Sequence, residues 1–438
     1  MNLPYTCHPP CITANQSGLI LIPLIKKTGR ILGCQFKKTG LALTLIFCAL
    51  SASMSLAAPQ SIPFENVQIE HEQGSSHSVT FERQPEERGV SLSIASYGIA
   101  FGNVPYINGL RFNFRDINLN RVNGLNLTVL VPREPSYGTV RGIAIGLPMT
   151  GAAHISGLSF ALGGLSVNEN IQGVQVALLG IGAGSSITGI TISGLGFGSG
   201  GNVRGLNLAG LGFGADGHVS GINLAGLGFG AEGNISGINL AGLGFGADGH
   251  VSGINFAGLG FGAEGNVKGL NISVLGFGTS GNACGINFSG LGIGAGGRIA
   301  GINMAGLGIA SGKSIRGLNI AGVGMAAGDS LTGLSLSLGG IASQRLYGLT
   351  LSPTAGAAEL ATGAFFAPAY FRIDHGTFRG FSLSAFNHIR GGQHGITIGI
   401  YNYARHLTGF QFGLLNYAGN NPRGLRILPL ANANLTRN

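Results

Sequence analysis

Residues 205–268 are one pattern written four times: Gly205-Leu-Asn-Leu-Ala-Gly-Leu-Gly-Phe-Gly-Ala-Asp-Gly-His-Val-Ser220 is followed by three near copies, so the chain returns to itself every sixteen residues. A unit this short cannot bury an apolar face alone. It is stable only when copies stack, so the period dictates a repeat architecture before any single residue is interpreted. A Gly followed by an apolar residue marks each unit without a slip at Gly189, Gly205, Gly221, Gly237, Gly253, Gly269, Gly285, Gly301, Gly317 and Gly333. Weaker copies lie upstream at Gly109, Gly124, Gly142, Gly157 and Gly173, and downstream at Gly348, Gly380, Gly395, Gly409 and Gly424. The interval from Gly348 to Gly380 is about two units long.

Within one unit Ile222 and Leu224 share a face, as do Leu227 and Phe229, but the two pairs are out of phase by one residue. A bend at Ala225-Gly226 brings Ile222, Leu224, Leu227, Phe229 and Ile235 inward and leaves Asn223, Gly228 and Gly230 outward. A second corner falls at Glu232-Gly233-Asn234, where Gly gives the freedom a tight turn needs. This is one coil of a parallel β-solenoid, with two or three short strands per turn. No segment carries a sustained helical period, and Gly at this density disfavours helices. The alternative is an antiparallel transmembrane β-barrel with one strand per repeat. It gains support from the middle units being more alike at 32 residues than at 16: Asp216 and Asp248 precede Gly-His, whereas Glu232 and Glu264 precede Gly-Asn.

The chain of 438 residues holds 81 glycines and only 9% charged residues. Disorder is not the reading, because 44% of the residues are hydrophobic, whereas disordered segments are polar and charged. The absence of Trp weighs against a barrel with aromatic girdles. The formal charge of +9 overstates the basicity of the repeats, since Lys26, Lys27, Arg30, Lys37 and Lys38 all lie in the first 58 residues. No Lys/Arg cluster of the kind that tracks a phosphate backbone is present, so nucleic acid is not an expected partner.

Lys37-Lys38, the apolar run Gly40–Leu50 and the small-residue stretch Ser51–Ala58 have the three regions of a secretory signal, with cleavage expected near Ala57 or Ala58. Residues 1–58 are therefore read as a leader, 59–88 as a polar arm or cap, 89–355 as Gly-rich β repeats, 356–372 as an interruption, and 373–438 as C-terminal repeats and tail. Four cysteines (Cys7, Cys11, Cys34 and Cys48) fall in the leader and leave Cys284 alone, so no disulfide framework or zinc site is expected.

Gly212-Phe-Gly214-Ala-Asp-Gly217 and its copies fit a dinucleotide fingerprint, but sixteen-residue spacing leaves no room for the helix that would hold a pyrophosphate. Ser311-Gly312-Lys313-Ser314 echoes a phosphate loop whose required first Gly falls on Leu307. No cofactor and no catalytic residues are assigned. Asp374, His375, His388, His394 and His406 have no nucleophile elbow or metal-spaced motif beside them. The one weak metal candidate is the column Asp216, Glu232, Asp248 and Glu264, on successive coils of a solenoid, where carboxylates repel or recruit a cation. His218 and His250 are read as turn donors. Asn207, Asn223, Asn239, Asn255, Asn271, Asn287, Asn303 and Asn319 form another column, each amide able to bond the next in a structural ladder. Arg372, Arg379, Arg390, Arg405, Arg423 and Arg426 are read as soluble turns or as a basic strip.

The closing units Gly395-Ile-Thr-Ile-Gly-Ile-Tyr-Asn-Tyr-Ala404 and Gly409-Phe-Gln-Phe-Gly-Leu-Leu-Asn-Tyr-Ala418, with the segment to Asn432, resemble bacterial surface-repeat proteins first described in spirochaetes. The resemblance covers about 395–432. The middle departs from it by an inserted residue and by Gly-Phe in place of Asn-Tyr. It implies export and surface display, and carries no catalytic residues to transfer. The expectation is an exported, non-enzymatic surface repeat protein, structural or adhesive, at the cell surface, the outer membrane or outside the cell. Its partner is open among a glycan, a lipid and a protein. The alternative function is an outer-membrane barrel acting as pore or anchor.

Overall fold

In this computed structural model, residues 88–436 are described, except 95, 118 and 133–136. The leader 1–58 and all of the arm 59–88 but Arg88 lie outside the described residues.

The repeats form a parallel β-solenoid of about 19 turns with coils of about 16 residues. One coil shows how. The strand Val219–Ala225 runs into a bend at Gly226-Leu227, the strand Gly228–Ala231 follows, and a turn at 232–234 leads to the next coil at Ile235. There are two strands per coil, at the lower bound of the sequence reading. Val219–Ala225 pairs in parallel with Ile235–Ala241, residue for residue at an offset of sixteen, and Gly228–Ala231 pairs likewise with Gly244–Ala247. The bends are bonded too: Leu227 N donates to Leu211 O at 2.7 Å and Glu232 N to Ala215 O at 3.1 Å. Backbone groups along most of a coil thus find partners in the coils above and below, which makes a glycine-rich chain rigid. Because neighbouring units run parallel, the antiparallel barrel, and with it the pore or anchor built on that barrel, does not describe the chain.

The marker glycine is a steric necessity. At Gly221 φ is 110°, and a Cβ would stand 2.1 Å from the carbonyl oxygen of Gly205. No side chain fits between coils at that point of the strand, so the one-residue signal that sets the period also sets the stacking distance.

The ladder does not stop at 356–372. Thr354–Phe366 pairs in parallel with the coil before it and with both strands after it, and Gly363 fills the gap between Gly348 and Gly380. The sequence hides this coil because Ala364 replaces the usual large residue after the marker glycine. Inside, Phe365 is fully buried among Phe371 and Phe378, with centroids 5.0 and 5.9 Å away. Gly424, by contrast, is no marker. It sits in a short 3-10 turn, Arg423–Leu425.

Both ends of the stack are closed by a reversal of direction. Arg88–Ile94 pairs antiparallel with Tyr97–Asn103, and Ile427–Asn434 pairs antiparallel with Tyr401–Ala418. Such strands cover the open edge of a parallel stack and limit end-to-end pairing.

The interior differs from the sequence expectation in one decisive respect. Val219, Asn223, Ala225, Phe229 and Ala231 point in, whereas Ile222 and Leu227 are exposed and Leu224 is half-exposed. The interior between two short strands is narrow, and small residues with one phenylalanine fill it. The phenylalanines stack: from Phe197 to Phe277 successive ring centroids are 4.4–5.0 Å apart and the rings are within 8° of parallel. Asn is tolerated at 0% exposure because its amide is paired within its own column.

Candidate binding face

Strand alternation sends every second side chain of Val219–Ala225 outward, and these are Ser220, Ile222 and Leu224. Leu227 joins them at the bend. The paired register repeats this in each coil. From the Val174 coil to the Leu318 coil, ten in succession, the positions equivalent to Ile222, Leu224 and Leu227 are Val, Ile, Leu, Phe or Met throughout. Ile222 is 42% exposed, Ile254 47%, Phe256 40% and Leu227 38%. The result is a sheet face clad in apolar, mostly aliphatic side chains, where a soluble sheet ordinarily alternates to polar residues. Beyond the marker glycine the face is bordered by a mostly polar column containing Arg204, Lys268 and Arg316, interrupted at Cys284 and Ala300, with no carboxylate in it over those ten coils.

Past the leucine bend the outer surface changes character. Gly198, Gly214, Gly246, Gly278 and Gly294 project nothing, and a Cβ built on any of them meets no atom within 4 Å. The coil itself does not demand glycine there. Near the C-terminal side of this trough Gly294, Ala310, Ala326 and Ala342 floor a shallow groove of about 700 Å³.

The asparagine ladder is continuous. Each Nδ2 from Asn207 to Asn303 donates to the Oδ1 sixteen residues on, at 2.7–2.9 Å, and Asn319 ends the run on the Ser335 hydroxyl at 3.4 Å. It belongs to the core, not to an outer face. In the closing coils the same device moves to the phenylalanine position: Asn387 donates to Asn402 at 2.7 Å, and Asn402 to Asn416 at 2.8 Å. This is how Tyr401-Asn-Tyr-Ala404 takes the place of a Gly-Phe-Gly-Ala strand.

Asp216, Glu232, Asp248 and Glu264 do occupy one turn position on successive coils and are exposed. No hydrogen bond or ion pair engages their carboxylates, and no group of three or more metal-ligating side chains assembles among the described residues. The column presents charge at a turn and gathers no ligand set. His218 and His250 are acceptors, contrary to their reading as donors. Asn202 Oδ1, His218 Nδ1, Asn234 Oδ1 and His250 Nδ1 each receive the backbone N–H sixteen residues on, at 2.7–2.8 Å. A turn that otherwise leaves an N–H unpaired is stitched by whichever acceptor stands there.

The C-terminal basic residues do not form one strip. Arg372 pairs with Asp374, Arg426 Nε donates to Asn421 O at 3.0 Å, and Arg379, Arg390, Arg405 and Arg423 are exposed. Arg390 Nε lies 3.5 Å from His388 Nε2. The His388 ring is half-buried between Tyr370 and Tyr403, and burial first, then the charges of Arg390 and Arg372, push its pKa below the usual histidine value. Burial, reinforced by Tyr403 and Tyr417, raises the phenol of Tyr401.

Sequence reasoning missed two features. One is the aliphatic face itself, because apolar character alone points those residues to the core. The signal lies within each strand: Asn223 and Ala225 share an alternation that excludes Ile222 and Leu224, Phe229 and Ala231 share the next, and the bend between the strands turns Leu227 outward. The other is a buried polar cluster in the first coils, with no pattern to announce it. Asp116 accepts from Arg111 Nη1 and Asn113 Nδ2, both at 2.6 Å, and from Thr128 Oγ1 at 2.6 Å, while Arg111 is 0% exposed. Arg111 also donates to Asn126 Oδ1 at 2.8 Å, in the column that the asparagines continue.

No protein-family model matches this chain, and neither a curated protein nor a solved structure is significantly similar to it.

Proposed function

We propose that the chain is an exported, non-enzymatic repeat protein that serves as a structural or adhesive element at a cell surface. The observation that supports this most is the outward aliphatic face. Thirty apolar side chains on ten successive coils repeat one surface, which suits repeated attachment along a stiff support better than chemistry at a point. The leader pattern at 37–58 supports export, and the likeness of 395–432 to surface-repeat proteins supports display. Fold alone assigns no activity, so the reading rests on this face and on those two sequence features.

The test is expression of the full chain in a bacterial host. The expected result is removal of the leader near Ala57 or Ala58, digestion of the repeats by protease added to intact cells, and binding to envelope material without turnover. Retention in the cytoplasm with the leader intact, or saturable conversion of a polysaccharide by purified protein, would overturn it.

A further inference from the structure

We propose that the occupant of the aliphatic face is a second copy of this chain, so that two solenoids pack face to face and bury it. The inference rests on reading that face as the working surface, and not on where the protein is located.

Three observations favour a second copy. The first is area. Eighteen of the thirty side chains are 36–61% exposed and the other twelve are partly exposed; at on the order of 50 Å² of apolar surface each, the ten regular coils together present roughly 1,500 Å². A monomer's largest apolar patch is about 300–600 Å², and a stable interface takes about 800 Å² from each partner. The face exceeds the first and satisfies the second. The second is shape. Parallel pairing at a constant offset of sixteen gives the face one corrugation, the coil spacing. A surface that meshes with it over its whole length must repeat at the same spacing, and another copy does so by construction, as in the dry interfaces between paired sheets. The third is chemistry. Ile222, Leu224 and Leu227 and their equivalents offer no hydrogen-bonding side chain, so a glycan would find no donor or acceptor on the face, whereas a like face loses nothing by burial.

Symmetry then makes the contact isologous: the same columns face each other, and the pair closes without leading to a fibre. The polar column at the rim, with Ser220, Ser236 and Ser252 between its basic residues, stays at the edge in contact with water.

The test is sedimentation equilibrium of the purified full chain without detergent. The variant is Ile238→Lys with Ile254→Lys and Ile286→Lys, three exposed positions at the face. Ser236→Lys with Ser252→Lys is the control, with charge added at the rim. Circular dichroism confirms that each is folded. The expected result is a dimer for the wild type and the control, and at least a 100-fold weaker association for the triple variant. A wild type that is monomeric at 10⁻⁵ M and co-sediments with lipid vesicles would give the face to a membrane and overturn the pairing. A dimer unaffected by the triple variant would overturn it too. Neither result bears on export or turnover, which the protease and polysaccharide assays decide separately.

Discussion

Two glycines seven residues apart should respond in opposite ways to the same methyl group. At Gly221 the backbone has φ of 110°, where an L-residue costs about 1–3 kcal/mol. The new Cβ would also stand 2.1 Å from Gly205 O, so the coils must part and give up at least one ladder hydrogen bond of about 1 kcal/mol. Gly221→Ala is therefore expected to cost about 3 kcal/mol locally, with the loss concentrated in the strands on either side. At Gly214 the Cβ would meet nothing within 4 Å, and the backbone is in an ordinary region. Gly214→Ala should be neutral, or stabilising by about 0.4–1 kcal/mol through the unfolded chain. A long repeat array does not unfold in one step, so the readout is native-state hydrogen exchange resolved by coil. Protection across Val203–Ala241 should fall about 100-fold in Gly221→Ala and be unchanged or higher in Gly214→Ala. Equal effects of the two substitutions would refute the argument that contact between coils, and not glycine content as such, sets the need for glycine.

Asn239→Leu removes one rung of the buried ladder and strands Asn223 Nδ2 and Asn255 Oδ1, each costing about 1–3 kcal/mol, so exchange protection of the strands beside it should fall, whereas Ser236→Leu on the rim should change it little. Comparable losses of protection in the two variants would count against a ladder that stabilises the stack. The packed His388, facing Tyr370, Arg372, Asp374, Arg390 and Tyr403, resists a proton that the unfolded chain accepts. The stability it contributes to the C-terminal coils is complete above about pH 6.5 and is lost as the pH falls below that. Exchange protection of Phe386–Ala418 at pH 5 relative to pH 7.5 should drop more in the wild type than in His388→Gln, and an identical drop would exclude the ring as its source.

Much of this fold was legible in the chain itself. The marker glycines gave the period, the Ala225-Gly226 bend gave the coil, and stacking of units too short to stand alone followed from the period. The aligned asparagines already implied an amide ladder. What the sequence left open was which side of the strand is inside. Hydrophobicity pointed Ile222 and Leu224 inward, but periodicity alone does not measure the room between two facing strands. Only the closed coil shows that the interior is narrow and takes Ala225, Phe229 and an amide that finds its partners one coil away. For the same reason the carboxylates were correctly aligned but not convertible into a site, since a column on one turn converges on nothing. The buried Arg111–Asp116 cluster was invisible too, because its members meet only after the chain has wound past itself. Sequence determines the repeat, since local sterics write it residue by residue; the three-dimensional closure decides what the repeat shows to the outside.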